Sequence, residues 1–524
     1  MNILKNIKFN KYIVLLFLII IIVFTYLNIK AIQVESWDDW GFGSAQIMLG
    51  VRHWTRDGMV NHKFFLLPSG YHPEIKFLDE PEFRFLADGI DTGELLGRRL
   101  YYAHYPSGYL MPYGFLAKLG FENRFWFRSL SLLLSFGAIF FIYGFIYLIA
   151  NKKHGPALIA VSYYITSTTF LRYADTLSNQ PIDDLFKWSI LFFSIFLINY
   201  NLETKIKKKI NILIWILYLL LASSSYDSTF FIFIWLCALM YFNNFDKNRR
   251  WYKQIFIIKN LKVYLLWASA PILAFIIQMA QNVWYLGWKD MMLDFLGAFL
   301  ARSSEVSGSV NFLSVLLKNL IVALASFGYF TDLRTRFVLP LFLVLFYLAL
   351  KYKIFKKKLW YYIVVLTVGG LMIGLVLPGV GIFGYQGRQI APALLIVISI
   401  LTYELMKDLK LKKLDFHNFT IISLLAIVWF FHFNATCAYV MNWPNNAVSK
   451  DKIEYWDSLK RQTDQNTIIL SLKNKENLEY TKFIPQFYTD RLMLWFDNER
   501  DLLEYRDKIK LFLKDKVKFL IITN

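Results

Sequence analysis

Two adjacent carboxylates, Asp38 and Asp39, stand between two indoles in Trp37-Asp38-Asp39-Trp40, just beyond a long apolar run. Their pairing costs electrostatic repulsion and offers little to folding. Neighbouring carboxylates do, however, raise one pKa towards the range useful to a general base. A second pair, Asp183-Asp184, precedes another apolar run, and Asp175 and Asp227 lie near further helix ends. Acids outside a membrane carry no topological penalty, so Asp175 and Asp227 taken singly read as ordinary exposed residues. The two pairs resist that reading, because ionisable groups at membrane depth are expensive and usually face a cavity.

Three other features could carry chemistry. Arg388 opens a helix within Gly384-Tyr385-Gln386-Gly387-Arg388, in an outer loop otherwise poor in cations. A helix N-terminus plus a guanidinium is an anion site suited to a phosphate; an arginine snorkelling to the headgroups explains the position equally well. The run Tyr102-Ala103-His104-Tyr105-Pro106-Ser107-Gly108 is a proline-braced turn flanked by aromatics, followed by a helix start towards Arg128. His53, His62, His72 and His104 share one loop without ligand-like spacing, which favours structural roles over metal ligation. Cys237 and Cys437 are too few and too far apart for a disulfide framework or a metal site.

The elements that must position these residues are membrane helices. The chain has 524 residues, 56% hydrophobic and 19% aromatic, more than a soluble core requires. Apolar runs long enough to span a bilayer, about 20 residues each, recur along most of it. Lys5, Lys8 and Lys11 precede the first run as in a signal peptide, but the run is long and no small-residue cleavage site follows, so an uncleaved helix is expected. Expected helices lie near 12–32, 126–150, 156–173, 184–200, 210–224, 228–243, 262–281, 336–351, 359–378, 388–406 and 417–436, about eleven in all. The net charge of +20 resides in alternate short loops such as Lys152-Lys153, 205–209 and 351–358. That is the positive-inside pattern. It argues for a cytoplasmic N-terminus and an outer C-terminus, and against nucleic acid as a partner. The stretch 310–330 is apolar enough to cross, yet a crossing there would put 351–358 on the wrong face. Residues 290–330 therefore read as helices lying at the outer interface.

The predicted fold class is thus a polytopic α-helical membrane protein with two large outer regions. Residues 1–441 form the transmembrane module, including a first outer loop at about 33–125 with interfacial helices. Residues 442–524 read as a small extracytoplasmic α/β domain, with strands at 467–472, 491–496 and 517–522 and a helix at 499–514.

In their order and membrane side, Asp38-Asp39 with Phe42, Ala45 and Gly50, then His104-Tyr105-Pro106, then Arg128 resemble the integral-membrane glycosyltransferases of the C-type superfamily. The likeness is nearest the branch of the protein O-mannosyltransferases and the lipid A aminoarabinose transferase, a family-39-like pattern. Asp39 stands where that family usually has Glu, and Phe42 where it has Tyr; Asp183 or Asp184 matches its later acid before a helix. The resemblance covers residues 10–200 well and the remainder mainly in topology. It implies an inverting transfer of a sugar from a polyprenyl-phosphate donor to a glycan, lipid or protein acceptor at the outer face of the cell membrane. Asp38 would be the general base, with Asp39 or Asp184 orienting the acceptor or tuning it. Asp183, Asp184, His104 and Tyr105 would bind sugar or acceptor, and Arg388 with Tyr385 the lipid phosphate. A monophosphate leaving group requires no cofactor; a divalent metal is permitted but not indicated.

Two rival readings share parts of this pattern. A transporter or flippase for lipid-linked sugars would also need a lipid-phosphate arginine, but would commonly place ionisable residues at the midplane of repeated halves. A non-catalytic membrane scaffold presenting its outer tail leaves Asp38-Asp39 without a purpose.

Overall fold

The computed structural model describes residues 11–32, 37, 41–84, 99–243, 258–304, 357–376, 387–408, 423, 426, 429–430, 432–434, 436–441, 448–472 and 483–522. Helix α1 (Lys11–Ile32) is apolar throughout, with Lys30 in its last turn. In the first outer loop α2 (Gly41–Asp57) and the short α3 (Met111–Lys118) follow, both expected there as interfacial helices. The long α4 (Arg124–Ile149) begins where the Asn123 side chain accepts from Trp126 N, a capping bond that satisfies one orphan donor.

Next come α5 (His154–Ile165) and α6 (Thr168–Tyr173), where the sequence suggested one helix over 156–173. Ser167 makes the break: its backbone is extended, and its hydroxyl accepts from Phe170 N to start a new helix. Helix α7 (Asn179–Asn199) starts five residues before the expected 184, so Asp183 and Asp184 lie inside the helix instead of ahead of it. Pro181 within the first turn is compatible with that start, because the amide hydrogens there have no intrahelical partner.

Beyond these lie α8 (Thr204–Ala222), α9 (Tyr226–Asn243) and α10 (Ile258–Ser304). Helix α10 is interrupted at Gly287, whose φ of 75° and ψ of 168° are open only to glycine at low cost. Then follow α11 (Lys357–Val376) and α12 (Gly387–Asp408). Four of the described helical stretches are long and apolar enough to cross a membrane: Val14–Ile32, Arg124–Ile149, Leu261–Leu300 and Arg388–Lys407. The expected count of about eleven is therefore not reached among the described residues. The expected helix at 336–351 and the questioned crossing at 310–330 lie outside them.

Helices α4, α5, α7, α9 and α12 share the main apolar core. One charge group is buried inside the bundle. Arg128 Nε and Nη2 both donate to Asp175 Oδ2, and Lys30 Nζ lies 3.8 Å from Asp175 Oδ1 while donating to the Tyr439 hydroxyl at 3.0 Å. Asp175 is thus a buried structural partner, not the exposed residue it resembles in sequence. Its burial also explains a lysine in the last turn of α1.

The C-terminal segment comprises α13 (Lys450–Gln462), β1 (Thr467–Leu472), α14 (Phe483–Thr489), β2 (Met493–Phe496), α15 (Glu499–Leu513) and β3 (Lys518–Ile522). The strands form a parallel sheet in the order β2-β1-β3, with Ile469 opposite Met493 and Leu520. Three short strands bury too little to stand alone. The first outer loop supplies the missing layer: Phe65, Leu67, Phe77, Phe83, Leu100 and Tyr101 join Ile468, Leu470, Leu494 and Phe496 in one core. That core crosses the boundary expected at 441/442.

A polar clasp holds the same junction. Arg52 Nη1 and Arg56 Nη2 of α2 donate to the two carboxylate oxygens of Asp490 at 3.1 and 2.8 Å. Burial works against the Asp490 charge, but the two guanidinium groups prevail and hold its carboxyl below the usual carboxylate range. A depressed pKa in the folded state contributes stability that is complete above the unfolded value, about 4, and fades as pH falls through the folded value. The Tm of Asp490→Asn should accordingly fall below wild type at pH 7, and the difference should shrink as pH drops below about 4. Asn tolerates the left-handed backbone of residue 490 (φ 51°), so the comparison isolates the charge.

Candidate functional site

The N-terminal turns of α7 carry the site. Gln180, Asp183, Asp184 and Lys187 recur at spacings of three and four, so they share one helical face, and all four are buried. Asp184 accepts from the Tyr164 hydroxyl and from Arg388 Nη2, and its Oδ1 forms an ion pair with Lys187 Nζ at 3.0 Å. Arg388, from the first turn of α12, also donates through Nη2 to the Gln180 carbonyl at 2.8 Å, and its own carbonyl accepts from Lys187 Nζ at 3.0 Å. Arg388 Nη1 is buried without a hydrogen-bond partner among the described residues. Two carboxylates and two cations are thus gathered out of water, where each ion's desolvation costs several kcal/mol unless the geometry is good.

Asp183 reaches the other way. Asn179 Nδ2 bridges Asp183 Oδ2 at 3.1 Å and the Tyr105 oxygen at 2.8 Å, while the Tyr105 hydroxyl faces Ser225 Oγ at 3.4 Å. The proline-braced turn of the first loop is therefore joined to the acid pair. Gly108 makes this approach achievable: its N–H donates to the Ser223 carbonyl at 2.9 Å, and a Cβ at 108 would fall 2.3 Å from that oxygen. Only glycine lets the loop lie this close to the end of α8.

A cavity of about 600 Å³ borders the same elements, lined by the chain neighbours of Asp183 and Tyr105 but by none of the cluster's own charged side chains. Pro106 and Met111 of the first loop, Ile182 and Phe186 of α7, Leu220 of α8 and Ile277 of α10 line it. Met111, Leu220 and Ile277 are exposed apolar side chains, so the groove is open along a surface suited to lipid contact. Its rim is polar: Ser107, Ser223, Gln278 and Gln281 all contribute, and Gln281 donates to the Lys63 carbonyl.

Of the residues singled out in sequence, the structure brings Asp184 together with Arg388, and Asp183 with Tyr105. His104 packs edge-on against Tyr102 with Nδ1 3.8 Å from Asp294 Oδ1 on α10. Asp38, Asp39 and Tyr385 lie outside the described residues. Trp37, immediately before the acid pair, is buried against Phe487 and Tyr488 of α14 with ring centroids 5.4 and 6.3 Å apart. The chain leading into the pair is thus anchored. Asn179, Gln180, Lys187 and Tyr164 were not found by sequence reasoning. Lys187 did leave a signal: a lone cation one turn into an apolar run demands a buried partner.

The architecture has solved counterparts. ArnT of Cupriavidus metallidurans, an aminoarabinose transferase, superposes with a TM-score of 0.52 at 9% identity, covering 98% of this chain and 93% of that one. The oligosaccharyltransferase of Archaeoglobus fulgidus, solved with a tethered acceptor peptide, gives 0.51 at 10% identity over 93% of this chain. The fold is the one these two solved structures share. At such identities the likeness is one of architecture, and this chain spans 64% of the archaeal protein's length. No protein-family model and no curated protein matches the sequence.

Gly108→Ala should push the loop off α8, an overpacking that costs on the order of 1–3 kcal/mol. The expected result is a lower Tm in detergent, because a Cβ at 108 meets the Ser223 backbone rather than a movable side chain. An unchanged Tm for Gly108→Ala would show that the loop does not rest on Ser223.

Proposed function

We propose that this chain is an inverting glycosyltransferase that takes a sugar from a polyprenyl-phosphate carrier and delivers it to an acceptor at the extracytoplasmic face. One observation carries the reading. A buried cluster joining α7, α12 and the first outer loop lies beside an apolar groove. A lipid-linked sugar needs both environments at once, an oily channel for its tail and a polar chamber for its phosphate and sugar.

Elementary chemistry assigns the roles. An acceptor O–H or N–H attacks the anomeric carbon as the bond from that carbon to the phosphate oxygen breaks. Configuration inverts, and the polyprenyl phosphate leaves with the bonding pair. Asp38 takes the acceptor's proton, with Asp39 beside it orienting the acceptor. Arg388 stabilises the charge growing on the leaving phosphate, the kind of electrostatic term that often dominates barrier lowering. Asp184 and the Gln180 carbonyl hold the Arg388 guanidinium while Lys187 holds the Arg388 backbone carbonyl, so Asp184 positions the arginine rather than touching the sugar. Asp183 and Tyr105, linked through Asn179, face sugar or acceptor. Under this reading the N-terminus is cytoplasmic, and the first loop and the C-terminal sheet roof the chamber from outside. The Archaeoglobus counterpart holds a peptide acceptor; protein, lipid and glycan are all candidates for this chain.

The reading is tested in membranes supplied with polyprenyl-phosphate sugar. Asp38→Asn should lower kcat by roughly 10²–10⁴-fold with donor binding intact. Arg388→Ala should lower it by about 10²–10³-fold, because its contact strengthens as the leaving charge develops. Full activity of Asp38→Asn removes that residue from the mechanism. Sugar-lipid flipping in proteoliposomes without any transfer would replace the enzyme with a transporter.

A further inference from the structure

Outside the cluster just described, the first loop gathers His53, Asp57 and His62, with one potential ligand atom from each lying within 4.8 Å of the others. His53 and Asp57 are four residues apart on α2 and so project from one helical face. The turn that follows α2 brings His62 back to them, with its Nε2 3.2 Å from Asp57 Oδ2. We propose that these three side chains form a divalent-cation site, best matched to Zn²⁺, that ties the end of α2 to the following turn.

Both imidazoles are already oriented as ligands. His53 Nε2 lies 2.8 Å from the Ser69 carbonyl, which can only accept, so that nitrogen carries the ring proton. Nδ1 is left with its lone pair, buried and without a hydrogen-bond partner among the described residues, on a side chain that is 1% exposed. A buried polar atom with no partner carries a penalty of about 1–3 kcal/mol, which a bound cation removes. His62 Nδ1 faces the Tyr101 hydroxyl at 3.0 Å, leaving Nε2 towards Asp57. Metal-binding histidines show this arrangement: the second ring nitrogen is engaged by a carbonyl or another polar group, which fixes tautomer and ring orientation.

Geometry and surroundings agree. Tetrahedral Zn²⁺ with bonds of about 2.0–2.1 Å puts its ligand atoms roughly 3.4 Å apart. The His62–Asp57 separation already matches, and the third ligand needs to close by on the order of 1 Å. Asp57 is the wet side of the cluster, its side chain 35% exposed, which provides an entry path and a fourth position for water. The nearest cations are engaged elsewhere: Arg56 pairs with Asp490 and stacks on Tyr71 at 3.9 Å, and Lys63 lies over the Tyr101 and Tyr285 rings. Histidine nitrogens with one carboxylate suit Zn²⁺ and disfavour Mg²⁺ and Ca²⁺, which take oxygen ligands.

The test uses the full chain in detergent, with any purification tag removed and metals stripped by a chelator. Titration with Zn²⁺ should show one equivalent bound, and Co²⁺ in its place should produce visible ligand-field absorption. Asp57→Asn and His53→Ala should abolish both signals. Tyr101→Phe should keep the site but weaken it roughly 10–100-fold, as loss of an outer partner does. His72→Ala, a buried histidine of the same loop outside the cluster, should bind as wild type. The half-exposed Asp57 tolerates substitution, so Asp57→Asn decides the matter even if His53→Ala does not fold. Absence of stoichiometric Zn²⁺ binding in the wild type, or equal binding by Asp57→Asn, overturns the proposal.

Discussion

The polar cluster on α7 is organised around one constraint: Asp184 must be neutralised away from water. A carboxylate buried on α7 is tolerable only with cations in contact, and Lys187 from its own helix and Arg388 from α12 provide them. The lysine comes almost without cost from helical spacing. The arginine comes from 204 residues further along the chain and so fixes how α12 packs against α7. Buried ion pairs are poor instruments of stability, since apolar residues of similar volume often do as well. Their presence at one end of the bundle, beside a groove, is better explained by a need for a fixed cation there.

The first outer loop links this charge cluster to the rest. At one end it reaches the cluster through Tyr105 and Asn179; at the other its apolar residues complete the core of the C-terminal sheet. Asp490 clasped by Arg52 and Arg56, and Trp37 wedged against α14, strengthen the same junction. The sheet therefore does more than hang from the last helix. It braces α2 and Trp37 through packed side chains and the Asp490 ion pairs.

Much of the fold was legible because it rests on local terms. The strand at 467–472 and the helix near 499–513 emerged within a residue of their positions, since polar and apolar residues alternate there with clear periods. Helix α4 was legible near 126–150 from its apolar run. Errors arose where a polar segment turned out to be buried. Asn179-Gln180-Pro181 reads as loop, yet it is the first turn of α7, because partners on other elements satisfy its polar groups. Ser167 divides an apolar stretch through one hydroxyl, and Asp175 passes for a surface acid until Arg128 and Lys30 enclose it.

Membrane character, the uneven placement of basic residues between alternate loops, and the candidacy of Asp184, Arg388 and Tyr105 came from the amino-acid order alone. Hydropathy and charge placement act through solvent, which each segment meets independently. Which acid meets which cation, how near the loop comes to α8, and where the groove runs were settled only in three dimensions. Those outcomes depend largely on contacts between elements far apart in the chain, as Asp184 and Arg388 are at 204 positions, and local spacing does not record them.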